Sequence, residues 1–331
     1  MSKIKYILKR IRNVQWKQML NVAKIISQKT KKPQFVILGD MIFCALKYGA
    51  GYMDYFEFEF YLLNNSERKT FLTSSINNKI IQQYNNKNFF DVFSDKLKFN
   101  NRFNKYLNHE YVDLREINKK EFADFCKSKK SIVGKVLDSC GGKGVEIYDI
   151  DNNADTLYEE LLAKKQFLVE ETIVQNSTMN RLYSGSVNTL RIISFLKDNG
   201  EVVILNTVLR IGNGGKVDNF SSGGMYTFVS PKGVILLPAI DEKGNIYTYH
   251  PLTNTKIVDF KIPQFDKVLQ FVKKIAKVVP EMRYIGWDIA IGENGPVLIE
   301  GNEYSGVFQM KPSLSGKKEG LLKKYRAHMD I

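Results

Sequence analysis

The stretch that decides the fold is a pair of apolar runs, Gly286-Trp287-Asp288-Ile289-Ala290-Ile291 and Val297-Leu298-Ile299-Glu300-Gly301-Asn302, around Glu293-Asn294-Gly295. Branched apolar residues on both sides of an Asn-Gly turn predict a β-hairpin. If residues 293–295 form the loop, Asp288 lies opposite Glu300. Asn302 then projects from the same face as Glu300, because side chains alternate along a strand.

Two carboxylates that face each other across a β-ladder repel, and a divalent cation between them would reverse the sign of that interaction. Two carboxylates and an amide, with phosphate oxygens completing the coordination shell, suit Mg²⁺. The hairpin therefore predicts a metal site at Asp288, Glu300 and Asn302. A solvated face with one carboxylate on each strand is the alternative that this hairpin leaves open.

A glycine-rich run, Ser139-Cys140-Gly141-Gly142-Lys143-Gly144, joins two β-rich stretches at 131–137 and 145–150. Glycines let backbone N–H groups approach a polyphosphate closely. The run is not a Walker A loop, because no Ser or Thr follows its Gly-Lys pair, and a plain hairpin turn remains an alternative. Lys135, on the strand before it, has apolar neighbours and needs an anionic partner unless it points outward to solvent.

The remaining pattern predicts helices in the first third of the chain and mostly strands after residue 131. Helices are expected over residues 4–14, after Pro33 and through much of 55–125. The helix of 265–279 has apolar residues at helical spacing. Further strands are expected at 166–171, 188–196, 201–210, 225–229, 234–237 and 246–249. Antiparallel strand pairs with interspersed helices predict an α+β fold and not a doubly wound sheet.

Composition excludes several classes of protein. The 331 residues, 44% hydrophobic and 25% charged, have an ordinary globular composition and are enough for more than one domain. No apolar run approaches the roughly 20 residues that span a bilayer. Three cysteines without a Cys-x-x-Cys pair and three scattered histidines argue against a disulfide framework and a zinc site. Without a visible secretory signal, a cytoplasmic location is expected.

The net charge of +14 is concentrated at the N-terminus, where residues 1–32 contain ten Lys and Arg and no Asp or Glu. The pattern of residues 4–14 predicts a basic amphipathic helix. Two interpretations remain open: peripheral contact with an anionic membrane through residues 1–32, which would put the protein at the inner face of the membrane, or a helix docked on the protein's own body. No RNA-binding motif is present, so nucleic acid is not an expected partner.

The order of these pieces resembles the ATP-grasp superfamily: a lysine strand, a glycine loop, a Val-Glu-Glu hinge, an arginine strand and an Asp…Glu-x-Asn hairpin. More narrowly, residues 55–325 resemble the sugar-transfer-associated ATP-grasp family. Besides the hairpin, the motifs that carry this resemblance are Ser186-Val187-Asn188-Thr189-Leu190-Arg191-Ile192 and Val217-Asp218-Asn219-Phe220-Ser221-Ser222-Gly223-Gly224.

The resemblance implies an α+β ATP-grasp fold in which two α+β lobes sandwich the nucleotide, preceded by a mostly helical N-terminal region. The implied boundaries are 1–95 for the basic helical region, 96–185 for the N-lobe with its glycine-rich loop and hinge, and 186–331 for the C-lobe with the metal site.

The resemblance also implies ATP and Mg²⁺ as cofactors and assigns roles by position. The nucleotide-binding set comprises two lysines, the glycine-rich loop and the hinge: Lys96, Lys135, Ser139, Gly141, Gly142, Lys143, Gly144, Glu170, Glu171 and Ile173. The implied Mg²⁺ ligands are again Asp288, Glu300 and Asn302. The implied catalytic residues are Arg191, Arg210 and Asn219.

Two departures from the family pattern affect these assignments. Many relatives have an acidic residue after the hinge for the ribose hydroxyls, but this chain has Gln175 and Asn176. Peptide-type ligases often have an arginine two residues before the metal-binding Asp, where this chain has Gly286. Arg191 or Arg210 would then supply that charge.

The implied function is that of an ADP-forming carboxylate–amine ligase, which makes an amide through an acyl phosphate held by Arg191 and Arg210. Its substrates would be a small carboxylate and an amine, one of them attached to a nucleotide-linked or lipid-linked sugar in surface polysaccharide or glycoconjugate biosynthesis. One alternative is an ATP-grasp phosphotransferase that acts on a sugar or another small molecule. Another is a basic membrane-surface adaptor without catalysis.

Overall fold

The computed structural model describes residues 15–137, 144–150, 154–215, 218, 220 and 223–331. The chain divides into two compact units: Met1–Ile80 with Val307–Ile331, and Ile81–Gly306. The predicted helix over 4–14 lies outside the described residues. The lobe boundaries expected at 95/96 and 185/186 stay predictions.

The first unit is helical in its described part, which confirms the expected helical N-terminal region. Its helices are α1 (Trp16–Thr30), α2 (Gln34–Tyr48), α3 (Tyr52–Glu57), α4 (Asn65–Arg68) and α5 (Ser74–Tyr84), which contains the unit boundary; a 3₁₀ turn lies at Phe60–Leu62, and two short helices follow at Pro312–Ser315 and Leu322–Arg326. Its core combines aliphatic residues with an aromatic cluster that includes Phe58, Phe60 and Phe71.

Helix α2 has clear start and stop signals. It begins directly after Pro33, and Gly49 ends it in the left-handed conformation, with its N–H donating to the carbonyl of Cys44. Ile37, Met41 and Cys44, spaced by four and three residues, face the core.

The second unit contains the α+β body of the chain. Its helices are α6 (Phe90–Ser94), α7 (Lys96–Leu107), α8 (Lys119–Cys126), α9 (Ala154–Ala163), α10 (Ser177–Asn180) and α11 (Phe265–Ile275). A four-stranded sheet has the order β1-β4-β2-β3, with β1 Tyr111–Asp113, β2 Ser131–Lys135, β3 Val145–Asp149 and β4 Leu168–Glu171. Strand β1 was not predicted, because it is three residues long and lies within helical sequence.

A second sheet has seven strands in the order β11-β10-β5-β6-β7-β8-β9. The strands are β5 (Leu190–Leu196), β6 (Val202–Ile211), β7 (Met225–Phe228), β8 (Ala239–Asp241), β9 (Ile246–Tyr247), β10 (Tyr284–Ile291) and β11 (Pro296–Asn302). Every strand pair in both sheets is antiparallel. The prediction of an α+β fold with antiparallel sheets is therefore confirmed.

Helix α7 connects the two sheets of this unit. Its Phe99 and Phe103 stack with ring centroids 4.5 Å apart, and Phe103 meets Trp287 of β10 edge to face. A Cβ at Gly301 on β11 would lie 2.8 Å from the Phe93 ring, so only glycine fits there. This packing fixes α7, and with it the side chains that reach the smaller sheet, against the hairpin.

The final hairpin corrects one detail of the sequence analysis and confirms another. The ladder pairs Ile291 with Pro296, which leaves a loop of four residues, 292–295, and not the three predicted. A β-bulge near Ile299 restores the register, so that Asp288 pairs with Glu300 as expected. The strand predicted at 234–237 is wrong, because this stretch makes only isolated bridges, such as Val234 with Lys261.

Candidate active site

Four neighbouring strands bring four of the predicted charged residues together. In the ladder, Asp288 on β10 lies between Arg191 on β5 and Glu300 on β11. Arg210 comes from β6, the next strand along. The side chains of these four residues and of Asn302 form one cluster, which we call the Asp288 cluster.

Asp288 is the best-satisfied member of this cluster. Arg191 binds it with two nitrogens, Nε to Oδ1 and Nη2 to Oδ2 at 2.7 Å, and Arg210 Nη1 lies 3.2 Å from Oδ2. Asp288 and Arg191 are 3% and 5% exposed. Burial alone would raise the pKa of Asp288, but the two guanidinium groups outweigh it and hold that pKa well below its ordinary value.

Glu300 lacks a comparable partner. The nearest guanidinium nitrogen, Arg191 Nη2, lies 3.9 Å from Oε1, while the Asn302 amide donates to the same oxygen at 3.2 Å. Its side chain is 46% exposed but closely surrounded by protein, and it faces Asp288. Surrounding protein, the like charge of Asp288 and a hydrogen bond with the Asp288 side chain raise the pKa of Glu300 to about 7. Such a carboxylate is short of positive charge.

These residues fit a divalent cation. Glu300 and Asp288 offer hard oxygens, and the amide of Asn302 can present its oxygen as well as its NH₂ group. The described residues contain no group of three or more His, Cys, Asp and Glu side chains in ligating range. A cation at this place would therefore use the two carboxylates, Asn302 and oxygens of a bound phosphate.

Gly286 explains how the cluster accommodates Arg191. A Cβ at position 286 would lie 3.2 Å from Arg191 Cδ and 3.1 Å from the Ser305 side chain. The space beside residue 286 is thus occupied by the arginine of the neighbouring strand. That Arg191 or Arg210 supplies the charge that Gly286 cannot stays a prediction.

Asp218, which the sequence analysis quoted without assigning, also lies near this cluster. It accepts hydrogen bonds from the backbone N–H of Thr189, at 2.8 Å, and from the Thr189 hydroxyl. Burial raises the pKa of Asp218; the Thr189 hydroxyl and Arg210 lower it, and Asp288 raises it further. An acid within a glycine-rich run was the signal that could have identified it.

A second charged group, the Glu170 cluster, lies on the smaller sheet. Lys135 on β2 forms an ion pair with Glu170 on β4, so the anionic partner that its apolar surroundings required belongs to this chain. Asn100 of α7 donates to Glu170 Oε1 at 2.7 Å, and His109 Nε2 lies 3.4 Å from Oε2. Burial would raise the pKa of Glu170, but Lys135 and His109 hold it well below its ordinary value.

Asn100 and His109 were missed because they are separated from Glu170 by at least sixty positions in the sequence. Lys96, at the start of α7, donates to the carbonyls of Val136 and Leu137 at 2.9 and 3.2 Å. It therefore binds the backbone that leads into the glycine-rich run.

Several predicted residues lie outside the described part of the chain: Ser139, Gly141, Gly142, Lys143 and Asn219. Gly144 is described; it has φ +67° and its carbonyl accepts from the Val136 N–H at 3.0 Å. The positive φ explains why glycine is suited to this end of the β2–β3 connection.

The predicted hinge, residues 170–173, begins in β4, and the segment that follows it contacts the end of β10. The backbone N–H of Glu171 donates to the carbonyl of Glu110 at 2.8 Å, and Ile173 follows two residues later. Asn176 N–H then donates to the carbonyl of Ile291 at 2.8 Å. Gln175, 6% exposed, is hydrogen-bonded to Asn188 through its oxygen and to the carbonyl of Tyr183 through its nitrogen. Gln175 thus holds the hinge in place.

A surface depression of about 380 Å³ beside β1, lined in part by Asn101, Tyr111 and Asp113, contains none of the predicted site residues. The charged residues on the two sheets define the candidate site. No described helix is long and apolar enough to cross a membrane.

Comparison with known proteins gives one family match. The model of a family described as sugar-transfer associated ATP-grasp matches residues 75–324. No curated protein matches the chain.

Among solved structures, N5-carboxyaminoimidazole synthetase of Staphylococcus aureus with ADP is 10% identical, with a TM-score of 0.44, over 71% of this chain and 52% of its own. D-alanyl-alanine synthetase A of Vibrio cholerae is 14% identical, with a TM-score of 0.42, over 70% and 60%. The biotin carboxylase domain of Hydrogenobacter thermophilus 2-oxoglutarate carboxylase, with MgADP and bicarbonate, is 12% identical, with a TM-score of 0.43, over 71% and 46%. The chain spans about half the length of these structures, and similarity at this level says nothing about its substrates.

Proposed function

Because the chain belongs to the sugar-transfer associated ATP-grasp family, we propose that it is an ADP-forming ligase that joins a carboxylate to an amine through an acyl phosphate. The observation that carries this proposal is the Asp288 cluster. In this cluster the guanidinium groups of Arg191 and Arg210 both contact Asp288, and Glu300, which has no close cationic partner, lies beside them.

The charges of the Asp288 cluster suit a phosphoryl transfer. Arg191 is buried and bound to Asp288 through two nitrogens, so its main effect is to position that carboxylate. The side chain of Arg210 is 17% exposed and makes one longer contact with Asp288. Arg210 is therefore the better candidate to bind the acyl phosphate and the oxyanion that develops when the amine attacks.

In the proposed reaction, a carboxylate oxygen of the substrate attacks the γ-phosphorus of ATP, and ADP leaves with the electrons of the broken bond. The amine then attacks the acyl carbon, loses a proton and expels inorganic phosphate. Mg²⁺ would be held by Asp288, Glu300 and Asn302 and would supply charge neutralisation at the phosphate oxygens.

Lys135 and Lys96 would assist at the nucleotide phosphates, and Glu170 would keep the Lys135 ammonium in position. Glu170 compensates that charge. The Lys135 ammonium would thus be oriented before a phosphate oxygen binds to it. Less conformational entropy would then be lost when the phosphate binds. The remaining residues keep the roles that the resemblance implies: Ser139, Gly141, Gly142, Lys143, Gly144, the hinge residues Glu171 and Ile173, and Asn219.

One substrate is proposed to carry a sugar, so that the product would belong to a surface polysaccharide or glycoconjugate. The family description, sugar-transfer associated, supports this part. Amino acids and carboxylated or amino-bearing nucleotide sugars are therefore the compounds to screen for ATP consumption.

Oxygen-18 labelling tests the chemistry once an active pair has been found. With the label in the substrate carboxylate, the acyl phosphate route transfers one labelled oxygen to the released phosphate. Mass spectrometry of that phosphate should show the label only when carboxylate and amine are both present. Unlabelled phosphate would contradict the acyl phosphate, and a phosphorylated product without free phosphate would identify a phosphotransferase instead.

A further inference from the structure

Helix α2 of the first unit is apolar on two opposite faces. One face packs into the core through Ile37, Met41 and Cys44. The other exposes five large apolar side chains, which we call the α2 stripe: Phe35 (75% exposed), Val36 (45%), Ile42 (49%), Phe43 (40%) and Leu46 (67%).

The spacing of these residues makes the stripe continuous. Phe35, Ile42 and Leu46 recur at i, i+7 and i+11, with Gly39 between them, and Val36 and Phe43 follow one position later. The one charged residue within 35–46, Asp40, neighbours Val36 and Phe43 on the helix and is bound by Arg68 through two nitrogens. Single exposed apolar residues are ordinary on protein surfaces, but a contiguous apolar patch marks a contact surface.

Helix α1 extends the apolar surface at one end. The side chain of Gln34 donates to the carbonyl of Leu20 at 3.1 Å, which places Leu20 beside the start of α2. Leu20 is 46% exposed, and Trp16, one turn earlier on the same helix, is 49% exposed. A tryptophan at the edge of an apolar patch is typical of surfaces at a membrane–water interface.

Cations border the stripe at both ends. Exposed Lys31 and Lys32 precede α2. Lys47 lies at its C-terminal end with Nζ 4.8 Å from the centre of the Phe43 ring. In residues 15–50 the one acidic residue is Asp40, which Arg68 binds through two nitrogens at 2.8 and 2.6 Å. The stripe therefore selects a partner that is both apolar and anionic.

A second copy of this chain does not meet that requirement. An antiparallel contact between two α2 stripes would bring Lys47 of one copy close to Lys31 and Lys32 of the other, and a parallel contact would pair Lys47 with Lys47. Neither arrangement provides a carboxylate to compensate the charge. Helix α2, with 15 residues, is also too short to span a bilayer.

We propose that the α2 stripe binds the surface of an anionic phospholipid bilayer, with α2 lying in the plane of the interface. Its apolar side chains would enter the acyl boundary, while the lysine stems lie along it and their ammonium groups meet the phosphate headgroups. The basic residues of 1–32 would add long-range attraction to the same surface. This proposal does not depend on the proposed reaction.

Vesicle flotation of the full chain tests the proposal. Vesicles of phosphatidylcholine alone are compared with vesicles of phosphatidylcholine and phosphatidylglycerol in equal parts. We expect binding to the anionic vesicles that weakens with added salt, and little binding to the neutral ones. The variant Ile42→Gln/Leu46→Gln should bind the anionic vesicles at least about tenfold more weakly.

A matched control removes similar side chains from another surface. Leu236 and Ile246 are 52% and 56% exposed in the second unit, and Leu236→Gln/Ile246→Gln should bind vesicles like the natural chain. All four changes affect exposed positions, so both variants should keep their thermal transitions. A third variant, Lys31→Gln/Lys32→Gln, should lose affinity for anionic vesicles and show a shallower salt dependence.

Four outcomes would overturn the proposal. The natural chain could fail to float with anionic vesicles at low salt, or the α2 variant could float like its control. Light scattering could show a dimer that only the α2 variant dissociates, which would make the stripe a self-interface. A chain without residues 1–14 could fail to bind anionic vesicles, which would assign the binding to that segment and not to the stripe.

Discussion

The Asp288 cluster and the Glu170 cluster are both ionic groups, but they differ in how the cations are distributed among the carboxylates. Glu170 pairs with Lys135 at one oxygen, which also has His109 Nε2 at 3.4 Å, and accepts from Asn100 at the other. In the Asp288 cluster, both arginines bind Asp288, and Glu300 faces the carboxylate of Asp288. We call the Glu170 cluster balanced, because its one carboxylate is paired, and the Asp288 cluster unbalanced, because the nearest guanidinium nitrogen lies 3.9 Å from Glu300. It is beside Glu300 that we propose a cation binds.

The largest expected effect comes from Glu300→Gln, which removes the unmatched charge. We expect kcat to fall about a thousandfold, the upper range for losing one electrostatic stabiliser in an active site, while the thermal transition is retained or raised. Steady-state kinetics with the active substrate pair measures this. The control Glu242→Gln changes an exposed turn, and equal activity of the two variants would remove the metal assignment.

A substitution in the balanced Glu170 cluster should lower the free energy of unfolding. Glu170→Gln leaves Lys135 buried without its counter-charge, and breaking such a pair costs about 3 kcal/mol in the free energy of unfolding. Because the folded-state pKa of Glu170 is lowered, its contribution is complete above the ordinary value of 4.5 and is lost as the pH falls through the folded-state pKa.

Urea denaturation at neutral and at acid pH should therefore show a difference between natural chain and variant that shrinks below about pH 4.5. The control Glu159→Gln disrupts an exposed pair with Lys119 and should cost less than about 1 kcal/mol. A difference that does not change with pH would contradict the ionic role of Glu170.

Arg210→Gln separates phosphate binding from catalysis within the unbalanced cluster. It should lower kcat about a hundredfold, as for one lost oxyanion donor, and leave the Kd of ATP within about twofold. Arg191 is less suitable for this test, because its removal would also leave buried Asp288 without its main partner. Calorimetry and kinetics on Arg210→Gln give both values, with exposed Arg181→Gln as control. A loss confined to nucleotide affinity would reverse the assignment.

The smallest expected effect on activity or ligand binding concerns Lys135, whose ammonium is already paired with Glu170. Because Lys135→Ala also leaves that carboxylate unpaired, its affinity is measured well below its thermal transition. Lys135→Ala should weaken the affinity for MgATP about tenfold, or 1.4 kcal/mol, in calorimetry. Lys130→Ala, at an exposed position just before β2, should leave it unchanged. An affinity within about twofold of the natural chain would end the nucleotide role of Lys135.

The sequence allowed the Asp288–Glu300 pairing to be predicted, because the Asn-Gly turn and the alternation of apolar residues constrain the register. Two hairpins fit the same sequence: one with a three-residue loop, and one with a four-residue loop and a bulge at Ile299. The sequence did not distinguish them, because both place Asp288 opposite Glu300. Local pattern determines which face a side chain takes, and several registers satisfy the same alternation.

Contacts between residues far apart in the sequence were harder to predict. Lys135 was expected to need an anion, but nothing local indicated Glu170, 35 positions away, or His109 and Asn100. The exposure of the α2 stripe was also not evident, because an apolar helix of this length reads as buried from its sequence. Both features depend on tertiary packing, which the periodicity of one segment does not specify.

The most direct test of the central claim, that the Asp288 cluster is completed by a divalent cation, is Mn²⁺ binding in the presence of ADP. Electron paramagnetic resonance measures free Mn²⁺ during titration of the natural chain, Glu300→Gln and the control Glu242→Gln. We predict a saturable site in the natural chain and the control, and at least about tenfold weaker binding in Glu300→Gln. Equal Mn²⁺ affinity in all three proteins would contradict the claim.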